Sequence, residues 1–443
     1  MKVLVVGSGA REHALCWKLA QSSKVRELYC APGNPGIGDI PRITLVDAKT
    51  PAGITEFAWY QAVDLVVVGP DHLLEQSLAD RLTERKVAVF GPTRRAAKIE
   101  WSKVFAKAFM DRHDIPTAPW LAVSRGGTAR KAVSALGGGP SVVLKADGLA
   151  RGKGVFVTNS EDELDAALKT LFVDRSFGTA SDVVIVEEKM RGQEVSVTGI
   201  SDGKRVLVLP DVMDYKQAHD GDRGPNTGGM GAHSPSFILD DEKREYIRTH
   251  ILQKAVDGLR KEDREFRGAL TANLMITDEG GIYVLEFNAR FGDPECQVQM
   301  LRINEDIAPI FYAAATGKLG KGDIAVKECA AACIVLTSAP YPGTPHIEES
   351  ISSVLLTGTR GDLVEFHANT ARRASDGRLI TVGGRVLNIC ATGGTLQEAL
   401  KKAYEGAAKV WWDHKAFRKD IGWRVLKKAQ GTSVSEAIDK STA

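Results

Sequence analysis

The first hundred residues alternate short apolar runs with stretches of helical spacing, and the runs break on glycine or proline. Residues 2–6 read as a strand that turns at Gly7-Ser-Gly9, and 12–22 as a helix. Residues 28–31 make a second strand, 64–68 a third ending in Gly69-Pro70, and 87–90 a fourth ending in Gly91-Pro92. Short buried strands interleaved with helices predict a parallel, doubly wound sheet. Ligands of such sheets sit at the carboxyl ends of the strands. Here those ends carry Gly7 to Glu12, Pro32-Gly-Asn34-Pro-Gly36 and Gly69-Pro-Asp71. A dinucleotide fingerprint needs a third glycine where Glu12 stands, and an acidic residue closing the second strand, which is missing. A phosphate or ribose site at the helix N-terminus, aided by Arg11, fits the turn better.

The length of 443 residues predicts roughly three domains. The chain reads as an α/β and α+β multidomain protein: a doubly wound parallel domain over 1–101, a connecting amphipathic helix within 102–120, and a small α/β unit over 121–188. A central α+β unit over 189–325, a β-rich C-terminal domain over 326–425 and a loose tail over 426–443 complete it.

Two polar, glycine-rich clusters fall in the central unit. The first runs from Asp220 to Pro235, with five glycines in the eleven residues from Gly221 to Gly231. Without Cβ atoms such a backbone reaches positive φ and lies close against a ligand. The second, Glu286-Phe-Asn-Ala-Arg-Phe-Gly-Asp-Pro-Glu295, ends a strand whose alternation puts Glu286 and Asn288 on one face, two hard oxygen donors side by side. Asn273, thirteen residues before Glu286, falls on the preceding strand. Upstream, Lys145-Ala-Asp-Gly-Leu-Ala-Arg-Gly-Lys-Gly154 joins two strands as a hairpin with cations at 145, 151 and 153. It lacks the Gly-Lys-Ser/Thr of a Walker loop, yet can lie over a triphosphate. The strand at 182–188 ends in Glu187, Glu188 and Lys189, followed by Glu194. Singly, each feature also fits a solvated turn or strand end.

Together and in this order they resemble the glycinamide ribonucleotide synthetase family of the ATP-grasp superfamily. The resemblance runs from Val3-Leu-Val-Val-Gly-Ser-Gly-Ala-Arg-Glu-His13 to Arg418-Lys-Asp-Ile-Gly-Trp423, through Lys145-Ala-Asp-Gly-Leu-Ala150 and Gly224-Pro-Asn-Thr-Gly-Gly-Met-Gly231. It implies an ATP-grasp fold with 121–188 as the ATP lid, and an ATP-dependent ligation of glycine to 5-phosphoribosylamine through an acyl phosphate. Mg²⁺, with Mn²⁺ as a substitute, falls to Glu286 and Asn288. Lys145 and Lys153 would neutralise phosphate, and Glu187, Glu188, Lys189 and Glu194 would frame adenine and ribose. Arg290, Lys145, Asn226 and Gly229 take the reacting centre. Gly9, Arg11, Glu12, Asn34, Asp214, Lys216, Thr227 and Asp293 take the substrates. Biotin-dependent carboxylase subunits share the architecture, but the Asn226 cluster points to the ligase.

The family usually reads Gln-Asp-His-Lys-Arg where this chain has Met213-Asp-Tyr-Lys-Gln217, and Tyr-Ala-Gly-Leu-Met where it has Thr271-Ala-Asn-Leu-Met275. His367-Ala-Asn-Thr-Ala371, with Asn369, departs from His-Ala-Gly-Thr-Lys. An altered amine or acid substrate is therefore the alternative to glycine and phosphoribosylamine. Tyr215 stands where a histidine would meet substrate, and Asn273 offers an amide oxygen near the metal. A net charge of +2 gives no field for nucleic acid or an anionic membrane. No run reaches the ~18 to 20 apolar residues of a membrane span. Six cysteines without zinc or disulfide spacing fit a reduced cytoplasmic enzyme, a monomer or weak homodimer.

Overall fold

The structure, a computed structural model, describes residues 1–137, 139–148, 154–353 and 362–430. Its N-terminal sheet is parallel throughout, in the order Ile43–Leu45, Glu27–Pro32, Lys2–Gly7, Leu65–Val68, Ala88–Phe90. The edge strand Ile43–Leu45 escapes the sequence reading because it is three residues long and half exposed, without an apolar run. In Lys2–Gly7, Leu4 and Val6 enter one hydrophobic cluster while Val3 and Val5 enter another. The first cluster continues into the central unit through Leu270, Val284 and Phe287, the second into the C-terminal unit through Phe366 and Cys390. Both faces of the sheet are thus covered, as an all-parallel sheet requires.

The connecting helix expected within 102–120 is Lys103–Arg112, and a separate helix, Arg94–Trp101, precedes it. Arg94–Trp101 stops at Ser102, whose hydroxyl accepts from the Phe105 amide at 3.2 Å and so caps Lys103–Arg112. The lid unit folds as an antiparallel sheet, Trp120–Val123, Val184–Glu188, Val142–Ala146, Val155–Val157. It has its own apolar cluster, built from Ala129, Leu144, Leu164, Leu171, Val186 and their neighbours. The central sheet is antiparallel, with Val206–Val208, Gly192–Asp202, Arg267–Thr277 and Ile282–Asn288 in that order.

The boundary drawn at 325 does not hold in the sheets. Met213–Asp214 and Gly231–Ser234 pair into the six-stranded sheet of Ala330–Ser338, Arg385–Gly393 and Leu363–His367. The glycine-rich segment between them therefore hangs from the C-terminal sheet. Helix Glu295–Arg302, buried along nearly its whole length, packs against helix Ala10–Leu19 and strand Ala330–Ser338. Among the described residues no helix is long and apolar enough to cross a membrane.

Candidate active site

Strands Arg267–Thr277 and Ile282–Asn288 pair so that Asn273 lies opposite Glu286 and Thr271 opposite Asn288. The Asn273 amide nitrogen donates to Glu286 Oε1 at 3.1 Å and to Asn288 Oδ1 at 3.0 Å, and its oxygen accepts from Ser196 at 2.8 Å. The pattern expected from alternation is present: Glu286 and Asn288 share a face. Asn273, however, turns its NH₂ and not its oxygen towards them, and clamps the pair. Burial works against the Glu286 charge, but the ammonium groups of Lys103, Lys216 and Lys145, with the Asn273 hydrogen bond, hold its pKa at about 2.

Lys145 reaches Glu187 at 2.6 Å and donates to the Leu285 carbonyl at 3.0 Å. Glu187 is buried and also binds Lys107 at 2.6 Å. A carboxylate enclosed by two lysines is not open to a ribose, so Glu187 positions Lys145 instead of framing the nucleotide. Glu188 is the exposed carboxylate of that strand end. Lys189 contacts Asn159 of the lid, and Glu194 pairs with Lys216 at 2.8 Å. The hairpin base is held to the connecting helices, since Asp147 accepts from the Val104 amide at 3.1 Å and from Ser102 at 3.3 Å. Lys153 and Arg151 lie outside the described residues.

Arg290 meets Glu100 at 3.0 Å, and Glu100 also accepts from the Ala289 amide at 2.7 Å. Glu100 carries no local sequence signal, because these contacts lie nearly two hundred residues away. Asp214 and Lys216 face the site, and burial beside Glu194 raises the Asp214 pKa. Burial and Asp214 likewise push the Glu295 carboxyl up, to about 7.

The glycine turn is fixed from two sides. Thr227 donates through its amide at 2.7 Å and its hydroxyl at 2.8 Å to the Lys216 carbonyl, and Asn226 pairs with Gln217. Gly229 has φ +113°, and a Cβ there would come within 2.5 Å of Pro294. Arg385, given no role from sequence, donates to the Gly228 carbonyl at 2.5 Å and the Asp293 carbonyl at 2.7 Å, and pairs with the Asp293 carboxylate at 3.3 Å. Burial opposes the Asp293 charge, while Arg385 and Arg11 keep its pKa low.

The N-terminal turn differs from expectation. Glu12 Oε2 accepts the Gly9 amide at 2.6 Å, and Cβ atoms added at Gly7 or Gly69 would collide with Glu12 at 2.5 and 2.0 Å. The helix N-terminus already holds a carboxylate, which repels phosphate. Arg11 donates to Glu12 at 2.6 Å and to the Phe291 carbonyl at 3.1 Å. Asn34 donates its side-chain NH₂ to the Ser8 and His367 carbonyls, at 2.9 and 2.8 Å, and its side-chain oxygen accepts from the Ile37 amide at 2.9 Å. It brackets the N- and C-terminal units, so a direct substrate contact would require breaking that bracket.

The departures are placed unexpectedly. Met213 and Tyr215 are fully buried in the C-terminal core, with the Arg418 and Arg424 guanidiniums 5.1 and 5.5 Å from the Tyr215 ring centre. Tyr215 cannot stand in for a substrate-binding histidine. Asn369 donates to the Arg385 carbonyl at 2.7 Å.

Known proteins match this arrangement. Family models of phosphoribosylglycinamide synthetase match in three blocks: the N domain over residues 1–100, the ATP-grasp (A) domain over 101–296 and the C domain over 331–424. A phosphoribosylamine–glycine ligase of Agrobacterium fabrum is 43% identical over 426 residues, 96% of this chain and 99% of that protein. The crystal structure of phosphoribosylamine–glycine ligase from Thermotoga maritima is similar with a TM-score of 0.81 at 33% identity, covering 95% of this chain and 100% of that one. The biotin carboxylase domain of a Hydrogenobacter thermophilus 2-oxoglutarate carboxylase has a TM-score of 0.70 at 16% identity, covering 94% and 91%, a likeness of fold alone.

Proposed function

The chain belongs to the phosphoribosylglycinamide synthetase family, and on that premise we propose how its residues divide the work. It is an ADP-forming ligase of purine biosynthesis that joins glycine to 5-phosphoribosylamine, giving glycinamide ribonucleotide and phosphate. It uses ATP and a divalent metal ion.

A carboxylate resists attack by an amine until one of its oxygens can leave as phosphate. The ATP terminal phosphoryl therefore goes to a glycine carboxylate oxygen, and the phosphoribosylamine nitrogen displaces phosphate from the acyl phosphate. Such transfer needs mainly positioning and charge neutralisation. Lys145, set by Glu187, faces the triphosphate, and Lys153 is assigned to it by the family pattern alone. Arg290, set by Glu100, faces the transferring group. Glu188 is offered to the ribose. Glu286 and Asn288 are half-buried hard oxygen donors, and Glu286 keeps its charge, so the pair fits Mg²⁺, with Mn²⁺ as a substitute. When bound, the ion neutralises phosphate charge. Asn226 to Gly229 form a wall beside the acyl phosphate and not a set of backbone donors, since the amides of Thr227, Gly228 and Gly229 are spent on the Lys216 carbonyl, the Tyr341 hydroxyl and the Thr227 hydroxyl. Asp214, Lys216, Thr227, Asp293 and Arg11 line the substrate side.

The observation that carries this reading is the Asn273 clamp that holds the Glu286 and Asn288 oxygens side by side, with Lys145 anchored at 3.0 Å on the adjoining Leu285 carbonyl. Glycine labelled with heavy oxygen in its carboxylate should pass one labelled oxygen to the released phosphate. Unlabelled phosphate alongside formed product would sink the acyl-phosphate route. We take the working unit as a monomer or weak homodimer. We place it in the cytoplasm, where the six free cysteines stay reduced.

A further inference from the structure

Away from the cleft, His346, Glu349 and His414 meet at the surface of the C-terminal domain. His346 and Glu349 lie on the loop after strand Ala330–Ser338, and His414 in the turn between Val410–Trp411 and Lys415–Ala416. One ligand atom from each lies within 4.8 Å of the others. The imidazoles stack with centroids 3.7 Å apart and planes 13° apart. Glu349 pairs with His414 Nδ1, and its second oxygen accepts the His414 backbone amide at 3.1 Å. The two segments are tied at their bases, because the Ala339 amide donates to the His414 carbonyl at 2.8 Å and the His346 amide to the Ala339 carbonyl at 3.1 Å. Two stacked imidazoles repel if both are cationic. A neutral ring is also the form that ligates a metal.

The geometry points to a surface site for a divalent transition metal, zinc by its donor set, held by His346, Glu349 and His414. Two imidazole nitrogens and one carboxylate oxygen with the remaining side open to water form a three-ligand zinc set. Mg²⁺ and Ca²⁺ prefer all-oxygen shells, so this centre and the Glu286–Asn288 pair select different ions. A tetrahedral ion with bonds of about 2.0 to 2.2 Å spaces its ligands about 3.4 Å apart, so the widest pair closes by at most about 1.4 Å, while Glu349 and His414 Nδ1, now in hydrogen-bond contact, move apart to admit the ion. His414 is 45% exposed, which leaves its ring room to turn out of the stack. The ion would staple the loop that also carries Tyr341, whose hydroxyl accepts the Gly228 amide of the glycine turn at 3.3 Å. None of this depends on which reaction the cleft performs.

The test is zinc titration calorimetry on chelator-stripped full-length protein, with excess Mg²⁺ and a non-hydrolysable ATP analogue filling the cleft. The expected result is a single zinc equivalent bound. Affinity should fall at least about tenfold in His346→Ala and in His414→Ala, and stay unchanged in Glu286→Ala. Cobalt in place of zinc should show the visible absorption of a tetrahedral centre, lost in the same two variants. Undetectable binding, binding that survives both histidine changes, or binding lost in Glu286→Ala instead would each overturn the site.

Discussion

Met213, Asp214, Tyr215 and Lys216 are successive residues of one extended segment, so their side chains alternate between two environments. The apolar pair fills the C-terminal core, while Asp214 and Lys216 face the cleft. The apolar–acidic–apolar–cationic order of the sequence already separates core from site, whereas a family string treats all four residues as one motif. Tyr215→His should accordingly leave KM for phosphoribosylamine unchanged but lower stability by about 1 to 3 kcal/mol, since the ring between two guanidiniums is lost. Thermal unfolding alongside steady-state kinetics checks this, and a KM change without a stability change would return Tyr215 to the site. Arg385 shows the opposite failure. Its contacts with Gly228 and Asp293 join residues separated by 157 and 92 positions, which no local pattern announces. Arg385→Ala should cut kcat roughly 10- to 100-fold while KM for ATP holds, because the glycine turn loses its position and not its chemistry. Arg385→Lys should rescue little, a single ammonium being unable to reproduce the fork.

At the scale of elements, strands buried on both faces were legible because only a doubly wound sheet accommodates them. The strand of Glu286 and Asn288 was legible from its alternation. Ends and breaks were not: Ser102 ends the helix Arg94–Trp101 and caps Lys103–Arg112, which itself stops well short of residue 120. The segment 213–234 joins the C-terminal sheet through pairing with Ala330–Ser338, a choice of partner that neither stretch encodes alone. The lid rests on the separation of its apolar cluster from the three that fill the rest of the molecule. Its outer strand Val155–Val157 pairs with a single neighbour, whereas Arg267–Thr277 lies inside an eleven-residue ladder. Amide hydrogen exchange should therefore be faster across 155–157 than across 267–277. An ATP analogue with Mg²⁺ should slow the former as the lid closes. Equal protection of both strands without ligand would argue against a mobile lid.

For the whole molecule, the N- and C-terminal units are joined where His13 Nδ1 accepts the His367 amide at 2.9 Å, beside the Asn34 bracket. That bond needs an unprotonated nitrogen. Burial, with His367 adding to it, holds the His13 pKa well below 6.5. Burial also lowers His233, to about 4. The sign follows from linkage. Below about pH 6.5 the unfolded chain takes up protons that the folded chain refuses, so stability is fully present above that value and falls as pH falls. Each histidine contributes a slope of about 1.4 kcal/mol per pH unit, which for His233 persists down to about pH 4. Glu295 opposes them, because its raised pKa costs stability as pH rises from about 4.5 to about 7. The parent's own profile therefore mixes signs, and the informative quantity is a difference. His13→Asn keeps an acceptor for the His367 amide but does not titrate. It should be less stable than the parent at pH 7.5, with the gap narrowing or reversing by pH 5. Unfolding midpoints measured across that range decide the matter: parallel profiles for parent and variant would mean that His13 does not carry the acid sensitivity of the domain junction.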